Sequence, residues 1–207
     1  MRQIAAEVDL IAGSIYHHFA TKEAILHEII RKPLEEWLAN LEAMRAMPVD
    51  AELRLISVVL KRFSDLILNW EVHAVIDQES QFLRRTEAFA YVNDEKLASF
   101  RAQQAILRDG IEAGLFRADI DIYLMIGTIA RMLTSAAAWF HRREIIASET
   151  PERYTLDTVV DFHLDAILRL VRASARLENP IPRGICERLA AVSFADDRSA
   201  ESLGRRG

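Results

Sequence analysis

The residues best placed to do chemistry in this chain lie at its start. Ala12, Gly13, Ser14, Tyr16 and His17 fall on one side of a short amphipathic stretch, and Ile15 and Phe19 fall on the other. Just before it, Ile4, Ala5 and Val8 form the inner face of another short helix, and Leu10 fills the turn between them. This is helix–turn–helix spacing, which presents the outer face of a second helix to a major groove. Small side chains at the start of that helix allow close approach to base edges. Tyr16, His17 and Lys22 can each donate to phosphate oxygens. Thr21 is placed to cap the helix that follows, whose N-terminus is a natural phosphate site. The candidate DNA-binding set is Ala12, Gly13, Ser14, Tyr16, His17 and Lys22. His18 suits a DNA contact and a packed position under the next helix equally well.

No other chemistry stands out. No Gly-x-Ser-x-Gly, phosphate loop or dinucleotide fingerprint occurs, and the carboxylate pairs sit on ordinary charged helix faces. The chain is expected not to be an enzyme and to need no cofactor. His73 and Asp77 stand one helical turn apart near Glu79, but that is a weak metal signal without a further ligand at strong spacing. The single cysteine, Cys186, excludes a disulfide framework and suggests a reducing, cytoplasmic setting. A net charge of −5 excludes a wholly basic nucleic-acid binder, though not a local DNA-reading patch. Across residues 1–32 the charges balance: Arg2, Lys22, Arg31 and Lys32 against Glu7, Asp9, Glu23 and Glu28.

The elements that must position these residues are all helical. The composition, 51% hydrophobic with seven glycines and five prolines in 207 residues, favours helices, and nothing reads as a strand. A long helix follows Thr21, with Pro33 expected to kink or split it. Ile56, Val59, Leu60, Phe63, Ile67 and Trp70 form a helical stripe from Ala51 onward. One further helix is expected over roughly Val75 to Leu83. A long one then carries Leu97, Phe100, Gln104, Leu107 and Ile111, with Gly114 as its C-cap glycine. Asp119 or Asp121 is the expected N-cap of a helix over about 121–146. Its apolar run is read as a buried helix rather than a membrane span, because it includes Asp121, Arg131 and small polar residues. The small residues Gly127, Ala130, Thr134 and Ala137 would let another helix approach closely. The last long helix is expected over about 156–177, with His163 a dimer-interface or core histidine in its stripe. A short helix is expected near 184–193 in an otherwise mobile tail.

The stretch Ile4 to Glu23 resembles the DNA-binding end of the TetR/AcrR family of bacterial transcription regulators. The matching residues include Ile4-Ala5, Gly13-Ser14-Ile15-Tyr16, His18-Phe19 and Thr21-Lys22-Glu23. Asp109 to Phe116, followed by Asp119 and Asp121, also looks like the family's approach to its eighth helix. Two departures stand out. The family normally opens with a further helix, so the DNA-binding domain is expected to be partial as given. Asp9 and Ile11 stand where the family has Gly and Ser or Thr, and Ile11 removes a helix cap at a cost of about 1 kcal/mol. Leu10 to Phe19, with Asp77-Gln78-Glu79 and Trp139, further resembles actinobacterial regulators of sterol-ring and fatty-acid catabolism, which implies an acyl-CoA thioester as inducer.

The resemblance implies an all-α chain, a helix–turn–helix fused to a helical ligand-binding and dimerisation domain. The expected division is residues 1–40 as a partial DNA-binding domain, 41–179 for ligand binding and dimerisation, and 180–207 as the tail. The expected partners are a double-stranded DNA operator, a second copy in a homodimer, and a hydrophobic small-molecule or acyl-CoA inducer that releases a repressor, with no membrane. The alternative is a dimeric ligand-binding protein that has lost DNA binding through truncation. Phe63, Ile67, Trp70, Phe100, Gln104, Met132 and Trp139 are the candidate ligand-binding residues, with Phe82 and Met125 also able to line a cavity. Taken singly, each apolar one reads more readily as plain core. Gln104 interrupts an apolar stripe, as a ligand contact or a satisfied core amide. Arg131 is expected in a structural ion pair. Arg84, Arg85, Arg142 and Arg143 are expected on the solvated surface.

Overall fold

The computed structural model describes residues 17–142 and 154–177. Among the described residues there are seven α-helices: α1 (Lys22–Arg45), α2 (Ala51–Leu68), α3 (Trp70–Gln78), α4 (Ser80–Arg85), α5 (Ala90–Glu112), α6 (Ile122–His141) and α7 (Leu156–Val171). Short 3-10 turns follow α4 and α7. No named strand occurs among the described residues, so the fold is all-α as expected. The short helices expected before Phe19 lie almost wholly outside the described residues, as do Cys186 and the tail.

Side-chain caps fix four of the helix starts. Thr21 Oγ1 accepts from the Ala24 amide at 3.1 Å, and Asp50 Oδ1 accepts from Leu53 at 2.9 Å. Asp121 Oδ1 accepts from Leu124 at 3.0 Å, and Thr155 Oγ1 accepts from Thr158 at 3.2 Å. Each satisfies an amide that the first helical turn leaves without an intrahelical partner.

Pro33 does not split α1, which continues to Arg45. Its ring denies the Ile29 carbonyl its usual donor, but Ile29 is exposed and water can serve instead. The stripe from Ile56 does not reach Trp70 as one helix, because the chain breaks at Asn69 (φ −114°, ψ 34°) and Trp70 opens α3. The single helix expected over Val75–Leu83 is two, joined at Glu79. This break redirects the chain so that Leu83 is fully buried, whereas α3 buries none of its residues.

The chain forms two compact units, Met1–Ala39 with Asn69–Ser99, and Asn40–Leu68 with Phe100–Gly207. In the first, Ile30, Leu83, Phe89 and Val92 form the core, with Leu26, Leu34, Ile76 and Tyr91 packed around them. Trp37 Nε1 donates to Ser99 Oγ at 2.9 Å.

In the second unit α2, α6 and α7 pack on one another. Phe63 and Leu66 of α2, Ile129 and Leu133 of α6, and Leu164 and Ile167 of α7 are buried there. The helix α6 is long and apolar enough to cross a membrane by length and composition, with a mean hydropathy of 1.3. It is not buried all round, as its sequence suggested. Met125, Ile126, Ile129, Leu133, Ala136 and Ala137 face inward, while Tyr123, Leu124, Gly127 and Ala130 are exposed.

The turn after α5 is built on two glycines. Gly114 takes the left-handed conformation (φ 68°), as a C-cap glycine should. Gly110 lies against the buried Phe116 ring, and a Cβ there would fall 2.0 Å from Phe116 Cδ2. The Gly110 carbonyl accepts from both Leu115 and Phe116. Phe116 then bridges to Arg172 in antiparallel fashion, through Arg117 N–H to Val171 O and Ala173 N–H to Leu115 O. This bridge is why α7 ends at Val171 rather than near 177: Arg172 is extended (φ −60°, ψ 141°). The Arg172 guanidinium makes a bidentate pair with Glu52, at 2.8 and 3.1 Å, with both side chains almost fully buried. Arg176 approaches the same carboxylate at 3.6 Å.

Candidate functional site

Of the candidate DNA-binding residues, Ala12, Gly13, Ser14 and Tyr16 lie outside the described residues. His17 is helical and exposed, with its ring edge-on to that of His18 at 5.5 Å. Lys22 is exposed and opens α1 directly after the Thr21 cap. The amide-rich start of α1 and an exposed cation thus sit together at the end of the candidate DNA-binding stretch.

The second unit holds an apolar cavity of about 700 Å³ between α6 and α7. Met132, Ala136 and Trp139 line it from α6, and Val159, Phe162 and His163 from α7. These positions recur every three or four residues, so each helix gives the cavity one face. Tyr154 adds its ring edge-on to Trp139, with centroids 5.2 Å apart. The polar contributors are Ser135, Thr158, His163 and Arg131. Arg131 is exposed and makes no ion pair among the described residues, unlike the structural pair expected of it.

The cavity brings together Met132 and Trp139 from the sequence-derived ligand set. Phe63 is fully buried and reaches the cavity wall through the His163 ring, 6.1 Å away. Ile67, Phe100 and Gln104 are half-buried in the same unit but do not line this cavity. The Ile67 carbonyl accepts from His141 Nε2 at 3.2 Å, and Phe100 packs on Tyr123 at 5.1 Å. Trp70 and Phe82 belong to the first unit. Met125 is buried in the core. Arg84, Arg85 and Arg142 are exposed, and Arg143 lies outside the described residues. Among the described residues no three His, Cys, Asp or Glu side chains are grouped to hold a metal.

Sequence reasoning missed Ser135, Tyr154, Thr158 and Phe162 as lining residues. A helical stripe through Met132, Ala136 and Trp139 was available as a signal. On α7 the stripe read from the sequence, Leu156, Val160, His163, Ile167 and Leu170, shares only His163 with the cavity face.

The first unit has its own polar cluster. Tyr91 Oη and Glu95 Oε2 are buried without hydrogen-bond partners among the described residues. Burial, with the nearby Glu35 carboxylate, pushes the Glu95 carboxyl above its usual range. Burial likewise raises the Tyr91 hydroxyl, and Glu95 adds to this.

The described residues thus give an all-helical fold with a capped helix at the end of the candidate DNA-binding stretch and an apolar cavity in the second unit. Residues 1–29 match the family model of bacterial regulatory proteins, tetR family. The chain is 25% identical over 161 residues to the HTH-type transcriptional repressor KstR2 of Rhodococcus jostii, covering 78% of this chain and 79% of the relative. The KstR2 repressor of Mycobacterium tuberculosis is 26% identical over 140 residues, covering 68% and 70%. Among solved structures, the ketosteroid transcriptional regulator KstR2 of M. tuberculosis has the same fold, with a TM-score of 0.73 and 24% identity over 84% of each chain. The TetR-family regulator PfmR of Thermus thermophilus gives a TM-score of 0.64 at 23% identity, covering 81% of this chain and 86% of its own. The chain thus resembles transcription regulators of the tetR family, in sequence over its first 29 residues and in fold over most of its length. The curated relatives are described as transcriptional repressors, not as enzymes.

Proposed function

We propose that the protein is a dimeric repressor that binds a double-stranded DNA operator and lets go when a hydrophobic small molecule or acyl-CoA ester occupies the cavity between α6 and α7. The observation that carries this reading is that cavity, in a chain whose first 29 residues match the tetR-family segment. Its walls are almost wholly apolar and its volume falls within the range of small-molecule sites. The M. tuberculosis relative's description as a ketosteroid regulator supports an apolar ligand of similar bulk. In this reading residues 1–40 read DNA, with Ala12, Gly13, Ser14, Tyr16, His17 and Lys22 at the duplex. Residues 41–179 bind ligand and dimerise, and the protein works in the cytoplasm.

The exposed start of α6 supports dimerisation. Tyr123 and Leu124 are 72% and 66% exposed, apolar surface that a second copy would cover. A two-fold dimer would place two recognition helices about 34–36 Å apart, one duplex turn. The ligand acts as a switch only through different affinities for the DNA-competent form and the released form.

Fluorescence anisotropy against duplex from the gene's own upstream region, at two salt concentrations, tests the reading. Binding that weakens steeply with salt and is reversed by an apolar effector is the expected result. Absence of salt-sensitive binding overturns the repressor and favours a protein that only binds ligand.

A further inference from the structure

The cavity wall contains one polar group whose hydrogen-bonding role is set by the fold. His163 Nδ1 lies 2.7 Å from the Val159 carbonyl, one turn earlier in α7. A carbonyl can only accept, so Nδ1 carries a proton and donates it there. In the uncharged ring Nε2 is then the acceptor, and it makes no hydrogen bond among the described residues. Turning the ring to exchange the two nitrogens would forfeit the bond to the Val159 carbonyl. Phe63 lies 6.1 Å from the ring at 31°, and Phe162 lies 5.2 Å away, edge-on at 80°. Phe63 is itself fully buried and cannot yield. The walls beside the ring are apolar: Met132, Ala136, Val159 and Phe162.

We infer that His163 is a specificity-determining residue of the cavity, selecting apolar ligands that carry a hydroxyl group donated to Nε2. The inference rests on the reading of this cavity as the ligand site. A fixed acceptor in an apolar wall discriminates through the cost of leaving it dry and unpaired. An alcohol satisfies it. The corresponding ether brings the same oxygen but no proton, and leaves Nε2 without a partner. Thr158 and Ser135 also line the cavity, but their hydroxyls both donate and accept and so do not make this distinction.

The test uses the full chain with bound 1-anilinonaphthalene-8-sulfonate, displaced by 1-decanol or by its methyl ether. Wild type is expected to prefer the alcohol by about two- to tenfold. His163→Phe keeps an aromatic ring between Phe63 and Phe162. It should bind the ether as before and lose the preference. Equal displacement by both compounds in wild type, or a preference that survives His163→Phe, overturns the inference and leaves the cavity as the ligand site. If neither compound displaces the dye, or if filling the cavity with Ala136→Trp leaves displacement unchanged, the ligand-site reading falls and this inference with it. Imidazole ¹⁵N shifts of unmodified protein give a readout independent of the variant's folding. Decanol should move the His163 Nε2 resonance and the ether should not; a shift of equal size with both, or none with decanol, overturns the inference.

Discussion

Glu52 and Arg172 show what a single buried pair asks of its surroundings. Two charges removed from water are tolerable when each satisfies the other, and the bidentate fork at 2.8 and 3.1 Å does so. Removing one partner leaves the other buried and poorly matched. Arg172→Met is therefore expected to destabilise the protein by about 3–5 kcal/mol, since Arg176 stands off at 3.6 Å, and urea unfolding would read this directly. Glu95 is the opposite case, a carboxyl that burial and Glu35 hold above its usual pKa. Folding then favours its protonated form. Its contribution is full at pH below the unfolded value and is lost as pH rises through the raised folded value. Glu95→Gln should raise the thermal midpoint at neutral pH, and the gap from wild type should close on acidification. A gap that stays constant across that range would show that Glu95 is not the group responsible.

Helix ends and turns carry the next scale of specification. Asp121→Ala removes the oxygen that holds the Leu124 amide, and a loss of about 1 kcal/mol is expected in chemical denaturation. Gly110 is constrained by contact rather than by its own dihedral angles, since the Phe116 ring occupies the space of a Cβ. Gly110→Ala must displace a buried aromatic ring that also begins the bridge to Arg172. A cost of about 1–3 kcal/mol follows, visible as a lowered melting temperature. The starts of α1, α2, α6 and α7 were legible in the sequence because caps and 3.6-residue periodicity act within a turn or two. The breaks at Asn69 and Glu79 were not: Glu is an ordinary helix former, and the Asn69 signal was overridden because Trp70 continues the apolar stripe. The end of α7 was missed because a bridge to Phe116, far away in sequence, terminates it.

For the whole molecule the decisive surface is the exposed start of α6, where Tyr123 and Leu124 face solvent. If it is a dimer interface, Leu124→Glu places a charge in an apolar contact. The variant should sediment as a monomer while keeping its helical circular dichroism, and a dimer of undiminished stability would exclude this face. Loss of operator affinity should accompany the change, since two half-sites are read together only by a dimer. By itself the sequence determined that the chain is helical, where most helices begin, and that its first residues have the spacing of a DNA-reading motif. These depend on caps, periodicity and side-chain types, all of which act locally. Only the tertiary structure decided that Met132 and Trp139 share a cavity with Tyr154, Phe162 and His163. It also decided that Phe100 and Gln104 do not line it, and that Glu52 meets Arg172 across 120 residues. An apolar stripe fixes which face of a helix is buried, but not which neighbour it meets or where packing leaves a void. That depends on the joint shapes of side chains brought together from distant parts of the chain.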